Sequence, residues 1–196
     1  SFATSSAFPD APNRQMDLAF SPEGDTWLLC GIKGDNEVSQ LRCYPAHGGP
    51  VQSFSFKHHV YPHSRLLYDP TGYIWITGNG GQLLRFNLST RLFKSFDYTR
   101  LFEHRNPAAV RAFAITRDAN GILWIGTQYR LVRAEKNGDD LTFTAYEPRG
   151  DGGNGPGFDF INCLLPDPEA PGQVLWIGTK GGGLDRTHQG GLVAGM

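Results

Sequence analysis

The side chains able to do chemistry are few and scattered. Six histidines occur in the 196-residue chain: His47, His58, His59, His63, His104 and His188. His58 and His59 are adjacent, so in a strand they point to opposite faces and cannot share a metal ion. His59 and His63 could meet across a loop, but no carboxylate or cysteine is spaced to complete a ligand set, and no metal site is expected. Cys30, Cys43 and Cys163 fit no Cys-x-x-Cys pattern. At most one disulfide can form, Cys30 with Cys43 being the short-range option, and the expected role of all three is that of small buried apolar side chains. Asp139, Asp140 and Asp159 lie among Gly and Asn, as turn residues do, rather than as a general acid/base pair. No Gly-x-Ser-x-Gly elbow offers a nucleophile. The run from Gly150 to Gly157 opens no helix and reads as a flexible linker, not a phosphate cradle. No catalytic residue and no cofactor is expected.

Bulk composition narrows the class. Apolar residues make up 39% and charged residues 19%, which excludes a disordered tail. The longest purely apolar run is four or five residues, too short for a membrane-spanning helix. Eighteen Lys and Arg against nineteen Asp and Glu leave a net charge of −1, so nothing points to nucleic acid as a partner. Twenty-five glycines, thirteen prolines and 12% aromatics suit short strands joined by tight turns.

The elements that must position any site come from a repeat. All four tryptophans, Trp27, Trp75, Trp124 and Trp176, follow a Gly-containing turn, and they stand 48, 49 and 52 residues apart. A period near 50 residues signals a solenoid, a propeller or another array. Each unit reads as four short strands. In the third these are Ala112 to Arg117, Ile122 to Thr127, Leu131 to Glu135 and Leu141 to Tyr146, with an Asn-Gly hairpin between the last two. The fourth unit shows Ile161–Leu165, Val174–Thr179 and a stub at Gly183–Arg186, without an evident fourth strand. The second strand of unit 3 is apolar on both faces, so its sheet is covered on both sides. Four-stranded sheets packed face to face around an axis are propeller blades. The expected fold is therefore all-β, a β-propeller segment of about four blades of four antiparallel strands. It forms a single domain over residues 1–196 with repeats of about 17–60, 61–105, 106–150 and 156–196. Gly126 and Gly178, two residues after their tryptophans, are expected to leave room for a neighbouring blade.

Leu123-Trp-Ile-Gly-Thr127 and Leu175-Trp-Ile-Gly-Thr179, each behind an Asp-initiated turn, resemble the two-component regulator propeller repeat. In that family the repeats build seven-bladed propellers in the periplasmic sensor part of hybrid histidine kinases, many of which respond to oligosaccharides. The resemblance implies a periplasmic sensor segment whose partners are a small-molecule or oligosaccharide ligand, the remaining sensor blades and a kinase part. No kinase signature stands in the sequence, and no enzyme activity is expected of it. Four units against a norm of seven imply a partial propeller. Its outer faces on units 1 and 4, carrying Trp27 and Leu29 or their opposite partners and the Trp176 strand, would be bare and would self-associate. Ser1 to Phe8 could add an outer strand to some blade. The alternatives are a propeller-scaffold lyase or glycoside hydrolase, and a protein-interaction fragment without a small ligand. Ser21-Pro-Glu-Gly-Asp-Thr-Trp27 is only a partial echo of the Asp-box of some hydrolases.

Propeller ligands sit at one mouth of the axial channel, and sugars need aromatic platforms with planar polar groups around them. On the loops after the Trp strands and between units, those criteria select Tyr129, Arg130, Arg111, Asn79, Lys180, His63 and Arg65. Tyr129 and Arg130 head that set, because they replace the small residues of the repeat with bulky donors.

Overall fold

A computed structural model describes residues 14–31, 38–58, 60–149, 155–188 and 191–193. Among the described residues sixteen strands form four antiparallel sheets, each of four strands in sequence order. Blade 1 holds β1 (Arg14–Phe20), β2 (Thr26–Gly31), β3 (Ser39–Tyr44) and β4 (Gln52–Phe56). Blade 2 holds β5 (Leu66–Asp69), β6 (Tyr73–Thr77), β7 (Gln82–Asn87) and β8 (Phe93–Asp97). Blade 3 holds β9 (Ala112–Arg117), β10 (Leu123–Thr127), β11 (Leu131–Asn137) and β12 (Asp140–Tyr146). Blade 4 holds β13 (Ile161–Pro166), β14 (Leu175–Thr179), β15 (Gly183–His188) and β16 (Gly191–Val193). The fold is a β-propeller architecture, as the repeat predicts. The fourth strand that the Gly-rich tail of unit 4 did not reveal is β16, which pairs with β15 through Arg186 and Val193.

Each blade begins with the same local device. The turn glycines Gly24, Gly72, Gly121 and Gly172 all have φ between 72° and 98°, a region closed to most residues with a Cβ. In three blades the aspartate opening the turn is bonded twice. Asp69 Oδ1 accepts from the Thr71 amide at 3.0 Å while its Oδ2 accepts from the Trp75 indole at 3.0 Å. Asp118 serves Asn120 and Trp124, and Asp167 serves Glu169 and Trp176, with indole distances of 2.9 Å in both. One carboxylate thus shapes the turn and fixes the tryptophan rotamer. Burial pushes the Asp69 carboxyl up, but its bonds to Trp75 and Thr71 and the Arg117 charge outweigh that and hold it below its usual range. Blade 1 has Ser21 in this place. Ser21 Oγ accepts from the Asp25 amide, and Trp27 Nε1 has no partner among the described residues.

The tryptophan face of each blade packs on the opposite face of the next. Trp27, Leu29 and Leu41 of blade 1 meet Ile74, Ile76, Leu84 and Phe86 of blade 2. Trp75, Leu83 and Phe96 of blade 2 meet Leu123, Ile125, Val132 and Phe143 of blade 3. Trp124 and Leu131 of blade 3 meet Ile161, Leu175 and Ile177 of blade 4. Gly126 does what its position predicts: a Cβ there would stand 2.5 Å from Ile161 Cγ2 of the next blade. Gly178 does not, because its face has no following blade among the described residues; a Cβ there would meet Cys163 Sγ of its own blade. Polar ties cross the same joints. Leu66 N donates to Asp17 at 2.8 Å, Arg117 Nε lies 3.5 Å from Asp69, and Asn120 Nδ2 donates to Gly172 O at 2.7 Å.

This stacking order decides between the two alternatives for the face of blade 1 that turns outward. Trp27 and Leu29 do not lie on a bare face; they are buried against blade 2 because tryptophan faces point forward along the array. Exposed apolar residues on the end blades include Leu18 and Phe20 on the opposite face of blade 1, where Leu28 and Cys30 are buried, and Leu165 and Leu184 on the tryptophan face of blade 4. The outer strand proposed for Ser1 to Phe8 lies outside the described residues. The cysteines are free thiols; Cys30 and Cys43 are buried as expected, but Cys163 is exposed, because it lies on the outward face of the last blade. Cys30 and Cys43 lie on opposite faces of blade 1, since Cys43 pairs with Trp27 while Cys30 alternates away from it. Burial pushes both thiols up to about 11.

The turn-to-tryptophan lock sets a stability prediction. Trp75 is 1% exposed, so Trp75→Ala should cost about 3–5 kcal/mol, as for other large core truncations. Asp69→Ala, which leaves the buried indole N–H unpaired, should cost about 1–3 kcal/mol. Urea unfolding midpoints check both; a parent-like midpoint for Asp69→Ala would remove the lock from the account of stability.

Candidate ligand-binding site

The first strands β1, β5, β9 and β13 are neighbours in turn and line the inner side of the array. Their opening ends, together with the loops after the second strands, make one axial mouth. Opposite or beside the residue four positions after each unit tryptophan lies the segment entering the first strand. His63 Nε2 is 3.2 Å from Asn79 Oδ1 in blade 2, the Gln128 amide donates to Arg111 O in blade 3, and the Lys180 amide donates to Phe160 O in blade 4. Asn79 also bridges by its backbone to Arg111, which joins blade 2 to blade 3 at this mouth.

Local chemistry sets each ring in place. Tyr61 to Ser64 close a tight turn, with the Ser64 amide on Tyr61 O at 2.8 Å and the Tyr61 amide on Ser64 Oγ at 3.1 Å. Phe113 is the extra residue of a β-bulge: Ala112 pairs with Thr127 and Ala114 with Gly126, so Phe113 has no partner in the ladder. A bulge re-aims one side chain without disturbing the strands around it. The result is a file of rings that crosses three blades. Tyr61 stacks on His63 with centroids 5.4 Å apart and planes 15° apart. His63 meets Phe113 at 5.2 Å, and Phe113 meets Phe160 at 4.6 Å. Lys180 Nζ stands over Phe160 at 5.2 Å. All four rings are partly exposed, while Arg111 and Lys180 are exposed.

Five of the seven sequence-selected residues come together here: His63, Arg65, Asn79, Arg111 and Lys180. Tyr129 and Arg130 are engaged elsewhere. The Tyr129 ring packs on Phe102 beneath the Arg105 guanidinium, and Arg130 covers Phe102 and pairs with Glu147 at 2.7 Å. Their bulk fills the link between blades 2 and 3, whose two short 3-10 turns at Thr99–Phe102 and Pro107–Ala109 bury Phe102. Sequence reading missed Tyr61, Phe113 and Phe160. The usable signal was an aromatic residue in the segment entering the first strand of blades 2, 3 and 4.

Burial lowers the His63 pKa; the Asn79 bond opposes this, and the Arg111 and Arg65 charges add to it. His63 is therefore a neutral ring at neutral pH, suited to stacking. Among the described residues no group of three or more His, Cys, Asp or Glu is arranged to hold a metal ion. The His59 half of the histidine pair considered above lies outside the described residues. Asp139 takes no part in the mouth; the Arg85 and Lys94 hydrogen bonds hold it down to about 2 at the joint between blades 2 and 3.

Residues 107–129, which include Arg111 and Phe113, match the family described as "Two component regulator propeller". Over that stretch the chain is similar to the repeat of this family. No curated protein matches the sequence significantly. Among solved structures, a catalytically inactive virginiamycin B lyase from Staphylococcus aureus with quinupristin superposes with a TM-score of 0.68 at 15% identity, over 94% of this chain and 56% of that one. The extracellular domain of a putative one component system from B. thetaiotaomicron superposes with a TM-score of 0.65 at 17% identity, over 89% of this chain and 21% of that one. PorZ, a surface component of the type-IX secretion system of Porphyromonas gingivalis, gives 0.63 at 16% identity, over 93% and 27%. The chain thus spans about half or less of the length of these solved structures. These likenesses establish the fold. No helix among the described residues is long and apolar enough to cross a membrane.

His63 gives a pH prediction. Its folded pKa lies below the ordinary value, so the unfolded chain binds the proton more readily. The contribution is complete above about pH 6.5 and is lost as pH falls through the folded value. Urea midpoints at pH 5 and pH 7.5 should therefore differ less in His63→Phe than in the parent. An unchanged difference would show that His63 does not carry the acid sensitivity.

Proposed function

We propose that the chain is the ligand-sensing propeller segment of an extracytoplasmic, hybrid two-component receptor, and that its ligand is an oligosaccharide held on the ring file at the axial mouth. The observation that carries this reading is the file Tyr61–His63–Phe113–Phe160, partly exposed and bordered by Asn79, Arg65, Arg111 and Lys180. Ring faces suit the C–H faces of pyranoses, and planar amide and guanidinium groups suit their hydroxyls. The match to the two-component regulator repeat supports the receptor assignment, and it falls on the blade that supplies Arg111 and Phe113. Binding without turnover is favoured by the state of His63, whose Nε2 is taken by Asn79 and whose protonation is opposed by burial and by two nearby cations.

The test is titration calorimetry of the chain against plant and host oligosaccharides, with product analysis of each mixture. Phe113→Ala should weaken binding by about tenfold or more, within the range of lost base or sugar stacking on one ring. Equal affinity of Phe113→Ala, or release of a cleaved product, would overturn the reading.

We also propose that two copies associate head to tail, the tryptophan face of blade 4 meeting the opposite face of blade 1. The same face-to-face pairing joins all three internal interfaces, and the exposed Leu165 and Leu184 on one side and Leu18 and Phe20 on the other supply the apolar contact. Size exclusion with light scattering should give a mass above 21.6 kDa that falls to that value in Leu165→Glu/Leu184→Glu. A monodisperse parent at 21.6 kDa would refute association.

A further inference from the structure

The charges around the ring file are mainly positive. Among the described residues six cations have a carboxylate partner: Arg85 and Lys94 on Asp139, Arg117 on Asp69, Arg130 on Glu147, Arg133 on Glu135, Arg149 on Asp185. The three at the mouth do not. Arg65 reaches only the backbone carbonyls of Pro62 and Ser64, at 3.4 and 3.2 Å. Arg111 and Lys180 form no ion pair among the described residues, and Asp159, which precedes Phe160, pairs with none of the three. Each comes from a different blade, so the cluster is a product of the fold and not of local sequence. Arg65 and Arg111 are both close enough to bias the same imidazole. The chain as a whole is at −1, so this local excess is not a reflection of overall charge.

A neutral sugar on the rings would leave these three cations without counter-charge. An anionic group offers the arginines a planar, charge-assisted acceptor, which is the interaction that a guanidinium makes best. We infer that the ligand is an anionic oligosaccharide, with ring faces seated on His63, Phe113 and Phe160 and its carboxylate or sulfate groups met by Arg65, Arg111 and Lys180. This rests on the oligosaccharide reading above and specifies its chemical class.

Calorimetry on the whole chain decides it, with tetragalacturonate, a glucuronate-containing hyaluronan tetrasaccharide, a sulfated chondroitin tetrasaccharide and neutral galactotetraose as probes. The expected result is that at least one acidic probe binds about tenfold or more tighter than the neutral one, and that its affinity falls as salt rises. The uronate and sulfate arms tell which group is read. Arg111→Gln and Lys180→Gln, both at exposed positions, should each lose about fivefold or more for the acidic probe and clearly less for the neutral one, whereas Lys136→Gln on the distant hairpin changes neither. Equal binding of neutral and acidic probes, or unchanged affinity in both glutamine variants, overturns the inference and leaves the oligosaccharide reading standing. If none of the probes binds, both fall.

Discussion

The arrangement hangs on one hydrogen bond from an indole to a turn carboxylate. A propeller blade must present a large flat side chain to its neighbour at a fixed height and tilt, and a tryptophan held only by packing has several rotamers open to it. In blades 2, 3 and 4 the aspartate that starts the turn removes that freedom, because one oxygen is fixed by the turn amide and the other therefore has a defined position for the indole N–H. The positive-φ glycine completes the turn. Blade spacing follows from the tryptophan, and the alignment of the inner strands follows from blade spacing. The ring file at the mouth exists because three inner strands end side by side.

Much of this is written locally and was therefore legible. The turn glycines, the Asn-Gly hairpin and the two-sided apolar second strands each depend on residues within a few positions of one another, and recurrence of the same short motif every 48 to 52 residues makes the units visible. The parts that were not legible depend on registry between distant segments. The tryptophan faces point forward along the array, and nothing within a single repeat states that direction. The last strand of blade 4, Gly191–Val193, is too short and too poor in β-formers to register as a strand; its pairing with β15 makes it one.

The candidate site divides along the same line. His63, Arg65, Asn79, Arg111 and Lys180 are at loop positions that a propeller template marks, and they do converge. Phe113 was hidden because its orientation comes from a bulge, a two-against-one count visible only once β9 and β10 are paired. Tyr129 and Arg130 stood out for their size against a small-residue norm. Size in a loop serves packing as readily as recognition, and here Phe102 provides the surface they cover.

Ser21 in blade 1 gives the array a polarity. In a chain of units that touch only their neighbours, opening begins where the local terms are weakest. Trp27 carries the same packing load as the other tryptophans, lying 3% exposed against Phe54 and Phe86, yet lacks the carboxylate that holds them. The units are therefore unequal as springs. Blades 2 to 4, which bear the ring file, form the stiff part of the array, and blade 1 is the compliant member through which strain at one end of the stack can be absorbed before it reaches the mouth.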